Sequence, residues 1–343
     1  MLNFLFRRQK EQLKRSLEPS SEAKQANSDW TERPPPALSI HERESSLLED
    51  LHYNYIAGSE SLTNEPLSTE EESFIDLIES MVRSPNSLSD AIPRLPDLIP
   101  KLLKLLRSDD ASWQSVVEVI SQDSVLVAGV IKVANSPFYR LNVEAENLEQ
   151  VVVHLGQKGV REVVMSVAFK PIMQFRGNQT LQQSCKRIWN HSLKSAVASR
   201  TIAVHSGENG FDAYLAGLVH NTGMNIILKA LSTAPDLSHL PRSNAFKQKI
   251  EELSQQLSVK IVEAWHMPQT VVKAVTDQCS WRSGQKLSGT AQTLFLGSAI
   301  SMKHSLMAEG DLQTQSDPEF KLENLLKDEP GPLAYSELNG FEL

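Results

Sequence analysis

The run Ala216-Gly217-Leu218-Val219-His220-Asn221-Thr222-Gly223-Met224 carries a histidine and an amide between small and apolar residues. It lies within a helical pattern that extends from Phe211 to Leu231. A polar pair delivered this way enters a helical core, where both side chains need hydrogen-bond partners. The other long pattern, Leu181–His205, brings in His191. A chain built around two such helices has to bury them among further helices. The remaining sequence provides these, as segments of helical length separated by short polar turns. No alternating strand series with hairpin turns interrupts them, and no repeat of solenoid period is present. The predicted class is all-α, a compact multi-helix domain with a polar N-terminal lead and an acidic C-terminal tail.

In chain order, residues 1–66 form the lead, which is predicted to be largely flexible. Phe4, Leu5 and Phe6 followed by Arg7 and Arg8 suit at most a weak peripheral membrane contact of residues 1–16. Pro34-Pro35-Pro36 marks a stiff linker, and Leu47, Leu48, Leu51, Tyr53 and Tyr55 allow a short docking helix. Residues 67–90 form a helical extension that starts at Ser68, with Glu71 completing a capping box. The main helical domain covers 91–308. Within it Asp123 caps Val125–Ala134, and Gly156 follows Glu146–Leu155 as a C-cap. Residues 309–343 are acidic, poor in apolar residues and predicted to be disordered.

At 343 residues and 40% hydrophobic content, the chain can bury a sizeable core. The net charge of -8 opposes general binding to nucleic acid. Lys170, Arg176, Lys186, Arg187 and Lys194 read as solvated faces rather than a basic patch. Cys185 and Cys279 are too few for a disulfide framework, which points to a reducing compartment and two buried thiols. With no apolar run long enough to span a bilayer, the chain reads as cytoplasmic.

Several motifs then fall in order. Leu95-Pro96 precedes a leucine-rich helix and Asp123 caps the next. Ile131-Lys132-Val133-Ala134-Asn135-Ser136-Pro137-Phe138-Tyr139 follows, then Val153-His154-Leu155-Gly156, Trp189-Asn190-His191-Ser192, the Ala216–Gly223 run and Glu263-Ala264-Trp265-His266-Met267-Pro268. Over roughly residues 90–285 this set resembles the HDOD domain, a bacterial signalling relative of the HD phosphohydrolase superfamily. The resemblance implies a helical regulatory module without demonstrated hydrolase activity, working in signalling, motility, attachment or stress responses through protein partners. His191 matches the first histidine of the family's site. Where relatives often read His-Asp-Ile-Gly, this chain has His220-Asn221-Thr222-Gly223. Met224 stands where active enzymes place lysine, and Asp277-Gln278 stands where relatives often carry a late histidine pair.

Two readings of this site remain open. Metal-assisted hydrolysis needs several ligands and a bound water, and His191, His220 and Asp277 would supply three. Asn221, however, is uncharged, and its amide oxygen is a poor ligand for a hard cation. The other reading is a degenerate site in which His191, His220, Asn221 and Asp277 bind no metal and serve as polar packing, with the module binding a protein partner or a nucleotide messenger. This second reading is preferred, with no catalytic residue, no metal and no cofactor. His154, His205, His239, His266 and His304 read as core-edge or surface residues. Asn135, Tyr139 and Arg140 form a candidate partner surface, although packing is the better expectation for the aromatic rings.

Overall fold

The computed structural model describes residues 40–59, 61–84, 91–107, 112–139, 143–174, 177–234, 237–281, 287, 289–309 and 330–339. Residues 44–343 form one compact unit. Residues 1–43 form another, described only from residue 40. The expected membrane contact of residues 1–16 therefore lies outside the described residues. Among the described residues no helix is long and apolar enough to cross a membrane. Apart from an isolated bridge between Thr63 and Ser243, all regular structure described is helical.

The helices are α1 (Ile40–Ala57), α2 (Thr69–Arg83), α3 (Leu98–Arg107), α4 (Trp113–Ile120), α5 (Ser124–Ala134), α6 (Leu148–Phe169) and α7 (Gln179–His205). They continue with α8 (Gly210–Val219), α9 (Thr222–Leu231), α10 (Asn244–Ala264), α11 (Gln269–Trp281), α12 (Gly289–Glu309) and α13 (Gly331–Glu337). The caps explain many of the starts. Ser68 and Glu71 exchange the two hydrogen bonds of a capping box ahead of α2. Asp123 accepts from Val125 and Leu126 at α5, and Asn178 accepts from Leu181 at α7. Gly156 takes φ 64° and ψ 176°, outside the helical range and costly for other residues, and separates two helical stretches within α6, as expected of a C-cap after Leu155.

Helix α7 is the central element, with α8 and α12 packed along it. Helices α9 and α10 pair beside them, α11 bridges α10 to α12, and α3, α4 and α5 gather on α6. Two glycines permit close approaches to neighbouring backbone. A Cβ at Gly217 would stand 2.5 Å from backbone atoms of Ala196, and one at Gly223 2.0 Å from the carbonyl oxygen of Ser254. Both contacts are backbone to backbone, so no side-chain shift would relieve them.

Several sequence expectations are corrected. The Phe211–Leu231 pattern is two helices broken at His220-Asn221, where His220 terminates α8 and Asn221 (φ -97°, ψ 14°) precedes α9. The short helix allowed for in the lead is, by contrast, present as α1, which buries Leu48, His52, Tyr53 and Ile56. The acidic tail also contains structure. Helix α13 lies on α7, and Glu337 meets Arg200 there at 2.6 Å. Cys185 is buried, whereas Cys279 is only half-buried.

Candidate functional site

Helix α7 presents His191, the α8–α9 break presents His220 and Asn221, and α1 adds His52. The imidazole centroids of His52 and His191 are 4.3 Å apart, and those of His191 and His220 are 5.4 Å apart. These residues line a cavity of about 150 Å³, closed further by α10, α11 and α12. His52 carries no signal in the sequence because Leu47, Leu48, Leu51, Tyr53 and Tyr55 around it do not define a single helical face. Only its i+4 spacing from Leu48 and to Ile56 hints at a buried face.

The proton positions follow from partner chemistry. His220 Nδ1 lies 2.7 Å from the Gly217 carbonyl oxygen, which can only accept, so Nδ1 bears the proton and Nε2 has a lone pair. Asn221 Nδ2 stands 2.9 Å from that lone pair and donates to it. The opposite amide orientation would set oxygen against a lone pair. At His191, the single proton of Ser301 Oγ goes to the His191 carbonyl oxygen at 3.0 Å. The 2.8 Å contact between His191 Nδ1 and Ser301 is therefore an imidazole donation. His191 Nε2 is left to accept from Ser298 at 3.3 Å.

Burial holds all three rings neutral at ordinary pH, with help from neighbouring charges at two of them. It pushes His220 down to about 4 and His52 down to about 3, the latter with added repulsion from His220 and Lys194. His191 is held well below the usual range by burial, then by His52, His220 and Lys194. Lys194 is itself buried and donates to Ser305 at 3.1 Å. Arg187 donates to the Tyr55 carbonyl at 2.7 Å. Neither cation is the solvated side chain expected from sequence.

Asp277 does not join this group. It pairs with Lys273 one turn before it on α11, while its neighbour Gln278 lines the cavity and donates to the Ala291 carbonyl at 2.8 Å. The helical register thus turns the amide inward and the carboxylate outward. The residues do not fit a metal ion: the Nε2 atoms of His191 and His220 face a hydroxyl and an amide N–H. Among the described residues no group of three or more His, Cys, Asp or Glu side chains is placed to hold one.

Two residues of the expected partner surface, Asn135 and Tyr139, are described. Asn135 donates to and accepts from the Ala145 backbone at 2.9 and 2.8 Å, closing its loop. Tyr139 packs edge-on against Phe138 at 4.8 Å and is half-buried. Arg140 lies outside the described residues.

The sequence profile of the HDOD domain matches residues 92–280. An uncharacterized protein of Treponema pallidum (strain Nichols) is 21% identical over 195 residues, covering 54% of this chain and 37% of that protein's length. A crystal structure of a Shewanella amazonensis SB2B protein, named as a candidate metal-dependent phosphohydrolase, is 20% identical with a TM-score of 0.54. That match covers 80% of this chain and all of the other. An HDOD domain protein of unknown function from Geobacter sulfurreducens is 19% identical with a TM-score of 0.53, over 79% of this chain and 89% of that one. At these identities the two structures speak for the fold.

Proposed function

The chain belongs to the HDOD domain family, and from that membership we propose that it is a non-catalytic, cytoplasmic signalling module that acts by binding and passes its signal to a protein partner. One observation carries this reading. The Asn221 amide donates to His220 Nε2, the ring nitrogen a metal would need, so a neutral N–H stands where hydrolytic chemistry requires an anion and a cation. The displacement of Asp277 toward Lys273 removes the only nearby acid the sequence offered as a third ligand. A nucleotide messenger suits this cavity poorly. Its volume of about 150 Å³ is small for such a ligand, and none of its lining side chains is lysine or arginine.

The test is elemental analysis of purified native protein and of Asn221→Asp after incubation with manganese, iron and zinc. The expected result is no stoichiometric metal in the native protein and metal gained by the variant. Tightly held metal in the native protein would overturn the proposal and make phosphodiester hydrolysis the next assay.

A further inference from the structure

Helix α13 turns one face to the domain. Gly331, Ala334 and Leu338 are buried on it, Tyr335 and Glu337 are half-buried, and Leu333 stands 45% exposed. Spacings of three and four residues put the buried positions on a single stripe with an acid at its edge. That stripe lies on α7 and α12. Glu337 meets Arg200 at 2.6 Å, and the Thr201 hydroxyl lies against the same carboxylate oxygen. The Tyr335 ring stands 5.4 Å from that of His304, with the Lys303 ammonium 5.8 Å from its centre.

The contact has the character of a removable cover. Ala334 and Leu338 join the main core, but the floor beside them is polar, built from Arg200, Thr201, Lys303 and His304. The groups that Glu337 touches also keep partners without it. Arg200 remains 3.1 Å from Glu162 of α6, and the Thr201 hydroxyl has the Val197 carbonyl oxygen at 3.0 Å. Departure of α13 therefore strands neither of them, and the usual penalty for an abandoned polar group does not arise. The helix is seven residues long, too short to persist alone in water. Residues 310–330 connect it to α12, so it sits in the groove as a tethered ligand, held by effective concentration as well as by contact.

We propose that the groove between α7 and α12 docks a short amphipathic helix of a protein partner, which displaces α13. The resident helix shows the chemistry the groove accepts. A small residue and, four positions on, a leucine enter the core, an aromatic ring covers His304 and Lys303, and a carboxylate reaches Arg200 and Thr201. Lys303 and Arg200 favour an acidic helix over a basic one. Recognition is of the helix-in-groove kind, read at positions one turn apart. None of the cavity histidines takes part. Metal bound at His220 would sink the non-catalytic reading and leave this groove untouched, and a groove that takes no helix would leave that reading intact.

The experiment uses the full-length chain. Hydrogen exchange of the native protein should show amides of 334–338 opening at least about tenfold more readily than the core amides of α7. A fluorescent peptide of residues 330–339 is then titrated, by anisotropy, into native protein and into Leu338→Asp, whose own α13 is driven from the groove. Saturable binding is expected, about tenfold or more tighter to the variant than to the native chain, where α13 competes. A peptide carrying Glu337→Lys should not bind. Glu337→Lys in the chain, at a half-buried position, replaces Leu338→Asp if that variant lacks a native circular dichroism spectrum. Protection of α13 equal to that of α7, no binding to the folded variant, or equal binding of the lysine peptide would overturn the proposal. Concentration-dependent dimers of the native chain that Leu338→Asp abolishes would also overturn it, since the occupant would then be α13 of a second copy.

Discussion

The imidazole of His52 rests 4.3 Å from that of His191, although the two belong to helices far apart in the sequence order. Helix α1 is held over α7 and α10 by polar contacts at several points. Asp50 pairs with the buried Lys247, Tyr53 donates to the Pro241 carbonyl, and Arg187 caps the Tyr55 carbonyl and lies 4.8 Å from the Tyr55 ring. Tyr53, Ile56 and Ala57 join the main core, and nearer the start of the helix Leu48 packs on Ala299 and Leu306 of α12.

Shortening Leu48 should therefore loosen α1 selectively. Leu48→Ala removes a side chain that is 2% exposed, a change worth about 2–5 kcal/mol if the rest of the helix stays in place. Detachment of α1 alone limits the global loss. The expected outcome is faster hydrogen exchange across 47–57, with exchange in the core of α7 nearly unchanged. Equal acceleration in α7 would show that α1 unfolds only with the whole domain.

Acid should weaken the native state through the buried imidazoles. His52 and His220 have folded pKa values of about 3 and 4, below the ordinary 6.5, while the unfolded chain binds protons normally. Between about 6.5 and those values the unfolded state carries more protons, so stability is fully present above 6.5 and falls as pH drops through the window. His191, His220 and Lys194 near His52 are cationic when protonated, so acidification adds no favourable partner among them, while Glu49 and Glu251 line the same cavity. His52→Leu should lose less stability than the native protein when melting midpoints are compared from pH 7 to pH 4. Parallel profiles would place His52 outside the titration.

Replacing Asn221 by aspartate reverses the chemistry at His220. A carboxylate oxygen would face the Nε2 lone pair that the amide N–H now satisfies at 2.9 Å. Protonation of His220 relieves that repulsion and creates a charge-assisted pair, so the His220 pKa in the variant should rise above its native position. Ring nitrogen NMR across a pH titration reads this directly. An unchanged His220 titration would mean that the introduced carboxylate has turned away from the ring.

Much of this architecture was legible in the sequence, and the exceptions have definite causes. The capping residues Ser68 and Asp123 and the apolar periodicity locate helices because both act within a few residues. His220 was legible as a polar group in a strongly apolar run, and His191 by its place in the Trp189-Asn190-His191-Ser192 motif. His52 was not, because what buries it is a contact with α7 far along the chain. The break at His220-Asn221 was hidden as well. Apolar spacing continues through it, and the turn is set by the imidazole-to-Gly217 bond and the close backbone contact with α7. At 277–278 the resemblance set both residues at the late histidine pair without deciding which faces the site, and the fold turns in the amide.

The C-terminal helix provides a last test, at the contact where Arg200 lies between Glu162 and Glu337 at 3.1 and 2.6 Å. Glu162 is buried, and burial pushes its carboxyl up to about 7 against the pull of Arg200, with Glu337 adding repulsion. This shift has the opposite sign to that of the histidines. The folded state binds the extra proton between the ordinary carboxyl range and about 7, so the contribution of Glu162 is most favourable at low pH and declines as pH rises through that interval. Glu162→Gln keeps the shape, removes the titration and should abolish this decline in a double comparison of melting midpoints at about pH 5 and pH 7.5. Arg200→Met instead strands a buried acid beside Glu337. It should cost about 3–5 kcal/mol at neutral pH, and part of that loss should be recovered on acidification as Glu162 takes up its proton. If Arg200→Met were no more damaging at the higher pH than at the lower, Glu162 would be water-accessible in solution and α13 would be held by its other contacts, among them Ala334, Tyr335 and Leu338.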